Sequence, residues 1–438
     1  VILYVSSTQR KGDRKEVKKK ILFISDHGDP LAKLGGVQAG GQNNYVRQLA
    51  LALEKQGAKV DVVTHWCEAD APRTETFGER CRVIRIAAGY KGFVSKNEMY
   101  DILPAFYAEM KKLLPLHMYD IVHTHYWLSG LLGKKIEEEY GLPFVHTSHS
   151  LGIAKQKATG IYDKIRHEAE EYILSSANSV IATTNNERNL IQEFVPSPAP
   201  ISVIPIGVAP LFQTRYNRSQ LRRQLGYSGP LLFFAGRLEE TKGIYTLLDA
   251  FRLLFERGGA PAGTKLVLAG GQTEAIDLDK RKPLDEKLRR AIEGMEEHIE
   301  FIGPKSQEEL ALFFNAATAT VVPSYYESFG MVAAEAQACG SPVIASRVGG
   351  LQNVVNDGET GLLVEPKNAE DLSVAMKALV TNDLLTQRLG KRATRLAKRD
   401  YQWPAISERI NSVYEEVLAN AAERDASFGY RLGRDAGW

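Results

Sequence analysis

Short apolar runs alternate with longer amphipathic stretches along this chain, and the whole rhythm occurs twice. The first set reads "KILFISD" (20–26), "KVDVVTH" (59–65), "RVIRIA" (82–87), "DIVHTHY" (120–126), "PFVHTSH" (143–149) and "SVIATT" (179–184). Helical patterns such as "NNYVRQLALALEKQGAK" (43–59) lie between them. Strand, helix, strand in repetition calls for a parallel sheet with helices on both faces. After "ISVIPIGVAPLFQ" (201–213) the pattern restarts with "PLLFFAGR" (230–237), "TKLVLAGG" (264–271), "HIEFIG" (298–303), "ATVVPS" (319–324) and "PVIAS" (342–346). At 438 residues the chain is too long for one ordinary core.

The expected fold class is therefore α/β, with two Rossmann-like doubly wound domains facing a central cleft. Residues 1–205 form the first and 206–404 the second, with a hinge at Pro205–Pro210. A helix at 405–430 is expected to pack back on the first domain. The sequence around Pro404 reads as a broken helix pair and the final "ASFGYRLGRDAGW" as a loose tail. Ligands bind such sheets beyond the carboxyl ends of the strands, so the loops there carry the chemistry.

Charge excludes some partners. With 55 basic and 53 acidic residues the net charge is +2, which makes no case for nucleic acid. No apolar run reaches the roughly 18 residues of a membrane span. The opening residues do not resemble a signal peptide, and their basic run Lys15–Lys20 reads as a solvated lead-in to the first strand. Cys67, Cys81 and Cys339 lie far apart, without a C-x-x-C pair, and read as reduced thiols in a cytoplasmic protein.

"PSYYESFGMVAAEA" runs from a strand into a helix. The amides around Phe329, Gly330 and Met331 stand at that helix's start, where a phosphate or oxyanion is favoured. Glu327 precedes the helix, and Glu335 lies roughly 7 Å further along its axis. Carboxylates accept paired hydroxyls. Hydroxyls at two places with phosphates between them describe a nucleotide sugar. The plainer account is one helix-terminal charge and one surface Glu. "FFAGRLEETKGIYTLLDAF" adds Arg237 and Lys242 at a strand–helix turn, two cations suited to a diphosphate leaving group.

These strings, with "ESFGMVAAEAQACGSPVIAS" and "VGGLQNVVNDGETGLLVEP" (348–366), resemble retaining glycosyltransferase family 4 and its two-domain GT-B fold over nearly the whole chain. The resemblance implies that Glu335 holds ribose hydroxyls and Glu327 the hydroxyls of the donor sugar, while Arg237 and Lys242 neutralise the diphosphate.

In the first half, "AGGQNNYVRQLALAL" (39–53) is a Gly-rich loop before a helix, without the G-x-G-x-x-G of a dinucleotide fold. Gly40 and Gly41 let backbone approach a ligand, Gly41 on the donor side as well, and Gln42 both donates and accepts. Tyr126, His149, Ser150 and Lys155 follow strands, Arg166 sits on the next helix, and Lys96 lies in "SKNEMY". Isolated, each cation is an ordinary surface charge; together they suit a phosphate pocket. The strings "GGQ…YV…LALAL", "HTHYW" and "HSLGIAK" resemble the glucosyltransferase half of the sucrose-phosphate synthases. That likeness implies UDP-glucose as donor and fructose 6-phosphate as acceptor, giving sucrose 6-phosphate and UDP. Gly40, Gly41, Gln42, Lys96, Tyr126, Ser150, Lys155 and Arg166 would hold the acceptor, and His149 would contact the transferred glucose. His167 stands where some members have a second basic residue. No phosphatase-like domain follows, so dephosphorylation would fall to a separate protein. A related enzyme glycosylates inositol 1-phosphate and shares the Lys, Tyr and Arg positions; Gln42 and "HSLG" favour the sucrose reading.

For mechanism, the expectation is front-face departure with the leaving diphosphate taking the acceptor proton. Glu327 is the one acid in view as a nucleophile, and the resemblance gives it a binding role. "DLD" (277–279) reads as a solvated loop rather than a metal site, so no cofactor is required and Mg²⁺ is at most stimulatory. Other classes are a dehydrogenase, against which the missing fingerprint counts, and a non-catalytic nucleotide-sugar sensor, against which His149, Arg237, Lys242 and Glu327 count.

Overall fold

The structure is a computed structural model that describes residues 18–32 and 40–435. Half of the Lys15–Lys20 run lies outside the described residues, as do the side chains of Lys96, Asn97 and residues from 424 on.

The first sheet has eight strands: β1 (Lys19–Ile24), β2 (Ala58–His65), β3 (Thr74–Thr76), β4 (Cys81–Ile86), β5 (Ile121–His125), β6 (Phe144–Thr147), β7 (Ser179–Ala182) and β8 (Ile201–Val203). Their order is β3-β4-β2-β1-β5-β6-β7-β8, parallel throughout except for the β3–β4 edge pair. The central strand β1 has Ile21, Leu22, Phe23 and Ile24 fully buried, so both of its faces are covered. That is why it reads as an unbroken apolar run. Helices Lys96–Leu113, Trp127–Tyr140 and Lys164–Ser176 cover one face, and Gly41–Lys55 with the last helix covers the other.

The second sheet contains β9 (Leu231–Ala235), β10 (Lys265–Ala269), β13 (Ile299–Phe301), β14 (Ala319–Val322), β15 (Val343–Ser346) and β16 (Gly361–Val364), in the order β13-β10-β9-β14-β15-β16 and all parallel. Between them β11 (Ile276–Asp277) and β12 (Lys282–Pro283) make a small antiparallel hairpin. "DLD" therefore begins on a hairpin strand, where Asp277 accepts from the Lys280 amide at 3.0 Å. Helix starts follow local capping: Ser95 with Glu98 and Ser306 with Glu309 are reciprocal capping boxes, and Asp163 and Thr184 accept from amides one turn on.

The chain crosses between the sheets twice, and the crossings touch. The Val208 amide donates to the Tyr401 carbonyl at 2.8 Å, and Val208 pairs with Gln402 in a parallel bridge. Trp403 wedges beside them: a Cβ on Gly207 would lie 2.4 Å from its ring. A helix Asp383–Asp400 ends just before this point, and the last helix, Trp403–Asp435, begins just after it. Pro404 thus sits in a first helical turn, where its missing N–H costs nothing. The last helix continues to Asp435, which corrects the expectation of a loose tail. It returns to the first sheet: Lys19 reaches Asn411 and Glu415 at 2.8 and 2.9 Å, Gln56 donates to Ser407 at 2.6 Å, and the Tyr414 hydroxyl meets His123 Nδ1 at 2.6 Å.

Candidate active site

The strands end on facing sides of one cleft. Gly41, opening the helix Gly41–Lys55, lies so close to Met331, opening the helix Met331–Ala338, that a Cβ there would be 3.7 Å from the Met331 side chain. Two helix N-termini therefore converge, each bringing unpaired amides and a partial positive charge. Gly330 caps the second with φ +102°, a left-handed conformation that a side chain disfavours.

Beside this point Lys242 and Glu327 form an ion pair, and Ser324 donates to the same Glu327 oxygen at 3.1 Å. The Tyr325 amide donates to the Thr241 carbonyl at 2.9 Å, which ties the two loops together. A third loop closes in behind. The Gly350 amide donates to the Glu327 carbonyl at 2.9 Å, and a Cβ on Gly349 would sit 2.1 Å from that carbonyl oxygen. Arg237 is not part of this cluster: its side chain is largely exposed and pairs with Glu239 at 2.7 Å. Phe329 is buried edge-on to Tyr401.

Glu335 is 8 % exposed and makes no side-chain hydrogen bond among the described residues. Burial pushes its carboxyl up to about 8. A lone carboxyl in such a place favours a partner that brings its own hydroxyls.

On the opposite wall Gln42 donates to Ser25 Oγ at 3.0 Å and more weakly to the His125 carbonyl at 3.4 Å, so its own carbonyl oxygen remains available as an acceptor. Tyr126 and His149, one and two residues past β5 and β6, have φ of +81° and +57°. Such backbone strain in non-glycine residues clusters at functional sites. His149 Nε2 lies 3.0 Å from His125 Nδ1. Burial holds the His149 imidazole neutral, down to about 3.

Arg166 is buried rather than solvent-facing. Its Nε donates to Glu170 at 2.7 Å, its Nη2 donates to the Ser150 carbonyl at 2.6 Å, and its guanidinium lies 5.1 Å from the Tyr126 ring centre. Ser150, Tyr126 and Arg166 thus lie together. The charge, however, is met by Glu170, whose other oxygen accepts from the Gly152 amide at 2.7 Å. Lys155 is exposed on the helix Gly152–Thr159. Lys96 opens its helix, and its side chain lies outside the described residues. His167 holds the Asp163 carbonyl with its Nδ1 at 2.7 Å.

Between the walls is a cavity of about 360 Å³. Glu327, Tyr326 and Ser328 line it from the second domain, and Leu151, Lys157 and Glu187 are among its residues from the first. Sequence reasoning missed most of these. Lys157 pairs with Glu193 at 2.8 Å, and the carboxylate of Glu187 accepts from the Thr183 amide and hydroxyl, both at 2.6 Å. Glu327 is therefore not the only acid at the cleft: Glu187 holds its own loop with Oε2, while its Oε1 is buried without a hydrogen-bond partner. The one available signal for the Arg166–Glu170 pair was its i,i+4 spacing on a helix.

Among the described residues no cluster of three or more potential metal ligands exists, and no helix is long and apolar enough to cross a membrane.

Comparison with known proteins gives a consistent result. Residues 39–210 match the family described as Glycosyltransferase Family 4, and residues 217–396 match Glycosyl transferases group 1. The D-inositol 3-phosphate glycosyltransferase of Corynebacterium glutamicum is 34% identical over 415 residues, covering 92% of this chain and 97% of that protein. Its counterpart in Acidothermus cellulolyticus is 33% identical over 434 residues, covering 96% and 94%. Among solved structures, sucrose-phosphate synthase from Thermosynechococcus elongatus superposes with a TM-score of 0.83 at 33% identity, covering 92% of this chain and 100% of that one. HepE of Anabaena, solved with UDP-glucose, gives 0.68 at 19% identity over 91% and 100%, a likeness of fold alone.

Proposed function

Because the chain belongs to the group 1/family 4 glycosyltransferases and has their GT-B fold, we propose that it transfers glucose from UDP-glucose to fructose 6-phosphate with retention at the anomeric carbon. The observation that carries this reading is the convergence of the Gly41 and Met331 helix starts beside the Lys242–Glu327 pair. A diphosphate fits between two positive helix ends and a lysine. Glu327 turns its second oxygen to the hydroxyls of the donor sugar, and Glu335 takes those of the ribose. Arg237, exposed in the structure, folds in on the diphosphate once an anion draws it from Glu239. His149 contacts the transferred sugar.

The acceptor phosphate docks on Ser150, Tyr126 and the unused edge of Arg166, with Lys155 and Lys96 supplying further charge. Gly40 and the free carbonyl of Gln42 receive the acceptor's hydroxyls. In the transfer step the bond from the sugar carbon to the diphosphate breaks while the bond to the acceptor oxygen forms on the same face. The acceptor's proton passes to the departing diphosphate oxygen. The protein supplies positioning and electrostatic stabilisation, without a covalent intermediate. Lys242 already has its anionic partner in Glu327, so it is oriented before substrate arrives.

A second reading keeps the pocket and changes the acceptor. The relatives named D-inositol 3-phosphate glycosyltransferase favour an inositol phosphate. The sucrose-phosphate synthase structure, at similar identity and with a TM-score of 0.83, favours fructose 6-phosphate. An assay with radiolabelled UDP-glucose against fructose 6-phosphate, fructose and inositol phosphates decides between them. Preference for fructose 6-phosphate upholds the proposal, and preference for an inositol phosphate replaces it.

A further inference from the structure

Four histidines gather where β5 and β6 end, and the proposed chemistry uses only one of them. His123, His125 and His146 are fully buried, while His149 is half-buried at the cleft. His123 Nδ1 meets the Tyr414 hydroxyl at 2.6 Å, and its Nε2 meets Thr147 Oγ1 at 2.9 Å. His146 Nδ1 meets Thr124 Oγ1 at 2.9 Å. The His125 ring lies against His123, with centres 4.3 Å apart. All four imidazoles are held neutral by burial, His146 and His149 down to about 3.

A neutral imidazole has one N–H and one bare nitrogen. Where His125 Nδ1 and His149 Nε2 meet at 3.0 Å, one of the two carries the shared proton. The other nitrogen of His125 decides which. His125 Nε2 is sealed from solvent with no hydrogen-bond partner. If His149 donated, His125 would carry its proton on Nε2, a buried N–H with nothing to receive it. If His125 donates, only a lone pair is left unmatched. Orphaned buried N–H groups are the rarer defect. The proton therefore sits on His125 Nδ1, His149 Nε2 accepts it, and His149 carries its own proton on Nδ1. That atom has no hydrogen bond to the described protein and is not among the sealed polar atoms. Tyr45 packs edge-on against the His149 ring at 4.8 Å, and the backbone there is fixed at φ +57°, so the ring is held in place.

We propose that His125 is a positioning residue that fixes His149 as the Nδ1–H tautomer, so that His149 offers the cleft a hydrogen-bond donor and never a general base. The functional consequence rests on the reading that His149 contacts the transferred sugar. The donor then meets an oxygen of that sugar, and the acceptor's proton has no imidazole to go to.

The test is a tautomer measurement on the intact protein labelled with ¹⁵N-histidine. Long-range ¹H–¹⁵N correlations distinguish the two tautomers, and the His149 signals are assigned by their loss in His149→Gln. The expected wild-type result is a proton on Nδ1 of His149. His125→Phe should move it to Nε2 or to a mixture, and should lower kcat about tenfold, the scale of one lost hydrogen bond, with both KM values within about twofold. His125→Asn, whose amide places an N–H near the position of Nδ1, should keep the tautomer and recover most of kcat. A wild-type His149 protonated on Nε2, or a His149 tautomer unchanged in His125→Phe, overturns the proposal. If His125→Phe does not fold, the wild-type spectrum and His125→Asn decide. The spectra need no substrate, so they stand whichever acceptor is used. A tautomer shift without loss of kcat upholds the positioning and refutes the sugar contact of His149.

Discussion

Lys242 and Glu327 stand 85 residues apart in the chain and meet in an ion pair at the cleft. The pair is partly buried, and the two loops that carry it are joined through their backbones. Lys242→Ala should therefore lower turnover by roughly 10²–10³-fold, the scale for losing one preorganised charge-stabilising group. Arg237→Ala should do the same, although Arg237 is exposed and paired with Glu239. Single-turnover kinetics with UDP-glucose check both, and near-normal rates in either variant would remove its assigned role.

Glu335 supplies a pH test. Its carboxyl ionises at about 8 in the folded protein and in the ordinary carboxylate range when unfolded. Between roughly pH 4.5 and 8 the native state holds a proton that the unfolded state has lost, so stability falls as pH rises through that window. Glu335→Gln should remove the fall, leaving a variant more stable than wild type at pH 8 by on the order of a few kcal/mol and equal to it near pH 4. Thermal unfolding across this range measures the difference. The same variant should lose affinity for UDP by calorimetry; unchanged affinity would refute the ribose contact.

At the acceptor wall, Arg166 has two partners to answer to. Arg166→Ala strands the buried Glu170 carboxylate and should cost about 3–5 kcal/mol of stability. Arg166→Lys with Ser150→Ala is the gentler probe. It should raise the KM for fructose 6-phosphate about tenfold or more, from the loss of charge-assisted hydrogen bonds, and leave that for UDP-glucose nearly unchanged. Equal use of fructose and fructose 6-phosphate by the wild type would dispose of the phosphate pocket.

Gly349 tests the loop behind Glu327. It has φ +43°, and an added Cβ would come within 2.1 Å of the Glu327 carbonyl oxygen. Gly349→Ala must push that loop away, so turnover should fall more than tenfold while the far-ultraviolet circular dichroism stays native. A fully active Gly349→Ala enzyme would show that the loop's position is unimportant.

The strands at the centre of each sheet were legible because burial on both faces writes them as apolar runs, as in Ile21–Ile24. β3, three residues at an edge, and β16 carry too little pattern to stand out. The last helix runs through Gly429 and Gly433 to Asp435, where two glycines weaken the helical signal that the Ala, Arg and Leu residues around them carry. At the site, Glu327 and Lys242 could be named because each follows a strand. Their pairing, the burial of Arg166 against Glu170, and the contact of His125 with His149 depend on which loops fold together, and no local spacing records that. "HTHYW" was visible as a string, but the role of its second histidine is set by a nitrogen that finds no partner.

The crossings at Val208 and Gln402 tie the two domains together at two points bonded side by side. A single crossing would tether the domains at one point, whereas two bonded side by side limit the directions in which one can turn on the other. A cut at either crossing alone would leave the halves joined through the other.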